Sequence, residues 1–169
     1  MTIAQTLLPE FDYEVTTTRT CLERAPQHTW DWKPHQRSFS MGHLVGHIAT
    51  LPTWAVATLG ADAFDMAPGG EQLKSPSPET VEDALTQFDK NAADARTALE
   101  SASDENLMGN WSLLSNGSTI LTMPRVGVIR SFVMNHMIHH RGQLTVYLRE
   151  NDVPVPAVYG PSADEGSMG

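Results

Sequence analysis

The chain has 169 residues, 40% of them hydrophobic and 18% charged, with 20 acidic against 11 basic side chains and a formal charge of −9. A length of this order fits one domain with one sizeable core, so the expected domain is the whole chain, 1–169. The acidic balance argues against nucleic acid or an anionic membrane as partner, because phosphate binding needs a basic face.

A first helix is predicted over about residues 3–24, where Ile3, Leu7, Phe11 and Val15 recur every four positions and Leu22 extends the stripe. Cys21 lies on it. As the single cysteine it has no internal disulfide partner, which fits a reducing compartment. The start, "MTIAQTLLPEFDYE", lacks a basic leader before an apolar stretch. No apolar run in the chain approaches the ~20 residues of a membrane span. A cytoplasmic location is the expectation.

Pro26 and Pro34 break the chain in "RAPQHTWDWKPHQRS", where Trp30 and Trp32 alternate and His28 and His35 sit in a loop. A second helix starts at Ser38 or Ser40, both suitable N-caps, and carries Leu44, Ile48, Leu51 and Ala55. Pro52 predicts a kink inside it, and Gly60 a stop. A Gly/Pro/Ser-rich connection, "GADAFDMAPGGEQLKSPSPE", follows. The third helix is expected to start with Ser77 as N-cap and Pro78 in its first turn, and to bury Val81, Leu85, Phe88, Ala92, Ala95 and Leu99.

Two short apolar runs flank "SNGS" between residues 105 and 123, and Asn-Gly is the preferred type I′ pair, so a small hairpin or irregular cap is predicted there. The fourth helix runs from about Pro124 to Glu150, with Val126, Ile129, Val133, His136, His140, Leu144 and Tyr147 on one face. The tail then trails over the surface. Four long helices with a long second connection predict an all-α four-helix bundle. Three apolar-faced helices and a hairpin in an irregular all-α domain are the alternative.

"NHMIHHRGQL" (135–144) concentrates three of the chain's seven histidines. His136 and His140 are one turn apart on the apolar stripe, so their rings point inward and can grip one metal ion. His43 and His47 repeat the spacing on the second helix. His47, between Leu44 and Leu51, is better placed than His43, which lies near the helix start. Three histidines with open positions make a catalytic or exchangeable site rather than a closed structural one. Without metal, such buried rings would be satisfied by carbonyl hydrogen bonds.

Beside this set, His139 is expected at the rim. Gln143 is open between a ligand contact and packing, and Arg141 reads as a surface ion pair. Asn135 could orient a ring or face water. Trp54 either walls the metal pocket or packs in a core or dimer interface. Asp164 and Glu165 either fold back as acid and base or belong to an ordered clasp. Met134 and Met137 read as adaptable packing rather than ligands.

"GHIATLPTW" (46–54), "NHMIHHRGQLTVYLRENDVPVP" (135–156) and "YGPSADE" (159–165), with "WDWKP" and "SFSMGHLVGHI", resemble the DinB/YfiT-like family of bacterial damage-inducible metalloenzymes. The resemblance implies a four-helix bundle of up-down-down-up order, a homodimer, and a divalent metal held by His47, His136 and His140. Nickel or zinc is the expected metal. It also implies a small-molecule substrate with a low-molecular-weight thiol, and thiol transfer or hydrolysis as the chemistry; a non-catalytic metal-binding stress-response dimer is the other reading. No Gly-rich phosphate loop or nucleophile-elbow motif appears, which argues against nucleotide and serine-nucleophile chemistry.

Overall fold

In a computed structural model, which describes residues 1–73 and 77–166, the first helix, α1 (Ile3–Glu23), starts on a capping box. The Thr2 hydroxyl accepts from the Gln5 amide, and the Gln5 side chain accepts from the Thr2 amide. Two orphan donors are thereby satisfied in one stroke. Its buried stripe is apolar at Ala4, Leu7 and Phe11, then turns polar at Glu14 and Thr18 before reaching Cys21 and Leu22.

The second predicted helix is two helices, α2 (Met41–Thr50) and α3 (Thr53–Gly60), divided at Leu51 and Pro52. Ser40 is the N-cap, its hydroxyl accepting from the His43 amide at 3.2 Å. Two glycines in α2 mark close approaches. A Cβ on Gly42 would lie 2.3 Å from Trp30 Nε1, and one on Gly46 would lie 2.7 Å from Pro78 Cδ. Pro78 is therefore a packing residue on α2. It does not open the next helix, which is α4 (Val81–Ser101), capped by the Thr80 hydroxyl. The predicted cap at Ser77 is corrected accordingly: Thr80 offers the β-region backbone that an N-cap needs. The buried face of α4 is as predicted from Phe88 to Leu99, with Val81 and Leu85 partly covered.

The hairpin is present. After the short α5 (Asp104–Met108), β2 (Asn110–Ser115) and β3 (Ser118–Pro124) pair antiparallel across Asn116 and Gly117, whose φ values are 50° and 75°. The expectation of an all-α fold is corrected in one respect. The connection after α3 holds a third strand, β1 (Ala63–Asp65), parallel to β2 with Ala63 opposite Ser112. Asp65 ties it down, accepting backbone N–H bonds from Ala67, Asn116 and Gly117. These bonds hold its carboxyl below the usual carboxylate range, the Ala67 amide most. The protein is thus mostly helical with a small three-stranded sheet.

The last rod joins α6 (Arg125–Val128), a π-helical segment (Ile129–Asn135) and α7 (His136–Glu150). Arg125 anchors its start. The buried guanidinium donates to the carbonyls of Thr58, Asn110 and Ala61 and to Asp62. One cation thereby satisfies the ends of α3 and β2 together. Toward the other end, α2, α4 and α7 close a core around Leu44, Ile48, Phe88, Met137 and Leu144. Two bidentate pairs join α1 to α4 across the surface, Arg19 to Asp89 and Arg96 to Asp12.

The tail does not trail. Asp164 pairs with Arg149 and accepts the Val155 amide, and Glu165 pairs with Arg24 at 2.5 Å. No helix among the described residues is long and apolar enough to cross a membrane.

Gly42→Ala is expected to destabilise the protein by about 1–3 kcal/mol, because the indole of Trp30 must move. Gly142→Ala, on an open stretch of α7 with nothing within 4 Å, is expected to stabilise it by about 0.5–1 kcal/mol through helix propensity. Urea unfolding of the two variants checks both signs.

Candidate metal centre

The kink at Pro52 ends α2 one turn after His47, and the π-helical segment ends at His136. These two elements bring His47, His136 and His140 together. Their metal-ligating nitrogens all lie within 4.8 Å of one another. The Nε2 atoms of His136 and His140 are 2.9 Å apart, and those of His47 and His136 are 3.4 Å apart. Two donors held about 2.0–2.1 Å from one ion, at tetrahedral to right angles, lie about 2.9–3.4 Å from each other. The spacing therefore fits a shared divalent cation.

Tautomers sharpen the point. His140 Nδ1 lies 2.7 Å from the Gln143 carboxamide oxygen, a pure acceptor, so Nδ1 carries the proton and Nε2 a lone pair. At His136 the Phe132 backbone carbonyl favours the protonated ring. The Nε2 lone pair of His140 then faces His136 Nε2 at 2.9 Å, where it can accept an N–H from His136 or share a cation with it.

Burial keeps the rings neutral. It pushes His47 down to about 4, with the neighbouring His140, His136 and His43 adding to the effect. Burial also lowers His136, against the pull of the Phe132 carbonyl, and lowers His140, against that of Gln143. Neutral imidazole is the form that binds metal.

The remaining sequence candidates sort clearly. His43 is exposed and stacks on Phe39 at 4.1 Å between ring centroids, outside the cluster. His139 is exposed, its ring edge-on to His140 at 4.8 Å. His28, His35 and Asn135 are exposed. Gln143 is resolved as the partner of His140. Met134 and Met137 are buried core residues.

One reading is corrected. Arg141 is not a surface ion pair: it is 2% exposed and reaches Glu14, itself 3% exposed, at 2.6 Å. It also donates to the Tyr159 hydroxyl, which donates in turn to Glu14. Of the two readings of Trp54, core packing holds: it meets Phe64, Trp111 and Phe132. The tail is a clasp, with Asp164 and Glu165 held in the ion pairs described above.

Sequence reasoning missed Phe39. Its ring centroid lies 6.0 Å from that of His47 and 6.3 Å from that of His140. The Tyr147 hydroxyl donates to its carbonyl. Phe39 sits just before the helix, where no periodicity points to a site.

The sequence profile of the DinB family matches residues 1–167. The chain belongs to the DinB family. Among curated relatives, YrdA of Bacillus subtilis is 23% identical over 158 residues, covering 94% of this chain and 89% of YrdA. A DinB-like protein from Bacillus cereus ATCC 10987 superposes with a TM-score of 0.72 at 23% identity, covering 94% of this chain and 98% of its own. The DinB-like protein YjoA of Bacillus subtilis gives 0.67 at 21% identity, over 89% and 96% of the two chains. At these identities the likeness shows a shared DinB-like fold.

Arg141→Ala leaves Glu14 buried without its counter-charge and is expected to cost about 3–5 kcal/mol. Arg149→Ala, at an exposed pair, is expected to change stability by about 0–1 kcal/mol in urea unfolding. The histidines set a pH dependence. An unfolded histidine titrates near about 6.5, whereas His47 stays neutral down to about 4. Between these values the unfolded chain takes a proton that the folded chain refuses, so stability falls as pH falls. Metal-free protein is expected to lose more stability from pH 7 to pH 5 than its His47→Gln variant, as read by denaturation midpoints at the two pH values.

Proposed function

We propose that the protein holds one divalent metal ion through His47, His136 and His140 and acts as a metal-dependent enzyme on a small-molecule substrate, by thiol transfer or hydrolysis. The observation that carries the reading is the convergence of the three histidines, whose metal-ligating nitrogens lie within 4.8 Å of one another. The proposed ligand set agrees with the resemblance of "GHIATLPTW" and "NHMIHHRGQ" to the family pattern. Nickel and zinc are the ions we expect, since imidazole donors suit both. We also read the whole chain as one domain, its helices as an up-down-down-up bundle, and the working form as a homodimer.

When bound, a divalent ion supplies Lewis acidity that makes a thiol or water nucleophilic near neutral pH. The chain's own residues set the conditions for this. Three neutral imidazoles bring no negative charge, so they leave the ion's charge undiminished. Gln143 and the Phe132 carbonyl fix the ring orientations, as second-layer partners do in metal sites. Phe39, beside His47 and His140, presents an apolar ring that keeps water off that side.

Elemental analysis of untagged protein is the test. About one equivalent of divalent metal per chain is expected, with loss in both His47→Ala and His136→Ala. Gln143→Ala is expected to weaken metal affinity about 10–100-fold, as loss of such an orienting bond does. Retention of metal by the histidine variants would place the site elsewhere. Stoichiometric metal with no turnover across a panel of thiols and electrophiles would favour the non-catalytic metal-binding reading.

A further inference from the structure

A concavity lies beside α3 and β1. It is half-open, about 370 Å³ in volume, and framed by Trp54 and Ala57 of α3, Phe64 of β1, and Met66 and Leu73 beyond it. Thr53 and Gln72 supply its polar groups. Among the described residues no charged side chain lines it.

The walls are fixed in place. Trp54 meets Phe64 edge-on at 5.5 Å and Trp111 at 6.3 Å, and stacks with Phe132 at 6.1 Å. The Leu73 amide donates to the Met66 carbonyl at 2.9 Å, closing the loop that forms the far side. The Thr53 hydroxyl spends its proton on the Thr50 carbonyl at 2.7 Å, which leaves its oxygen as an acceptor. Gln72 offers both a donor and an acceptor.

We infer that this cavity is a binding site for an uncharged small molecule built on a flat aromatic ring system with one hydrogen-bonding substituent. Its volume lies in the range of small-molecule pockets, about 300–1,000 Å³. Two aromatic rings and a thioether favour a flat π-system by stacking, edge-on and sulfur contacts. Among the described residues the wall carries no cation, which on a chain of net charge −9 disfavours an anion. The Thr53 oxygen and Gln72 amide match a single hydroxyl or amide on the ligand.

The inference stands without the metal reading, and its test uses metal-free protein.

The experiment is a titration with 2-naphthol, neutral at pH 7, of protein labelled with ¹³C at the methionine methyls. The Met66 signal, assigned through Met66→Leu, reports the cavity. Met108, 59% exposed and outside the lining, serves as the control. A saturable shift of Met66 with Met108 unmoved is expected. Ala57→Phe, which fills the space, and Leu73→Asp, which places a charge at a 55% exposed position, are each expected to weaken binding by about tenfold or more. The exposed position of Leu73 keeps its variant informative should Ala57→Phe not fold. The anion 2-naphthalenesulfonate is expected to bind at least about tenfold more weakly than 2-naphthol. A static Met66 signal, equal non-saturating shifts at Met66 and Met108, or undiminished binding by the folded variants would each overturn the proposal.

Discussion

Three ring nitrogens converging on one point form the constraint on which the site rests. His47, His136 and His140 bring them within 4.8 Å of one another, and protonated rings at that spacing would repel. Burial removes the protonated option, since a half-buried cluster disfavours charge. The Gln143 oxygen, bonded to His140 Nδ1, leaves the Nε2 lone pair of that ring facing the cluster. What remains is a cluster of neutral donors that the surrounding helices hold in place, ready for a cation.

The backbone does this with two departures from ideal helix. Leu51 and Pro52 end α2 just after His47, and α3 follows directly after them. The π-helical segment places an extra residue in the turn before His136, which rotates everything downstream by about 100° relative to a regular helix. Ile129 and Val133 can then bury against the Phe11 and Leu99 side of the molecule. Met137 and Leu144 bury against α2 and α4, with His140 facing the cluster. π-helical turns recur at functional sites because they re-aim side chains at a modest cost in backbone geometry.

Much of this was legible in the sequence, and the exceptions share a cause. The histidine pairs, the break at Pro52 and the Asn116–Gly117 turn are local signals whose meaning lies within a few residues. His47 was separable from His43 because helical period alone decides which of them faces inward. β1 was invisible: three residues in a glycine-rich connection become a strand only by pairing with Ser112, Leu113 and Leu114, far along the chain. The π-helical segment leaves no composition signature, so the stripe appeared continuous from Val126 to Tyr147. Arg141 was misread because an arginine defaults to solvent unless its partner is known. Its partner, Glu14, lies 127 residues away.

That buried pair bears on the centre as well. Arg141 and His140 are consecutive, so their side chains leave α7 about 100° apart. One enters the histidine cluster. The other enters a pocket on α1 built from Glu14 and Thr18 and closed by Tyr159 of the tail. Rotating α7 would draw the guanidinium away from Glu14 and leave both charges desolvated and unpaired. Breaking a buried pair in that way is strongly unfavourable, whatever the intact pair contributes. The polar stretch of α1, which looks like a flaw in an apolar stripe, thus acts as a rotational lock. The tail clasp, held by Arg24 and Arg149, keeps that lock closed.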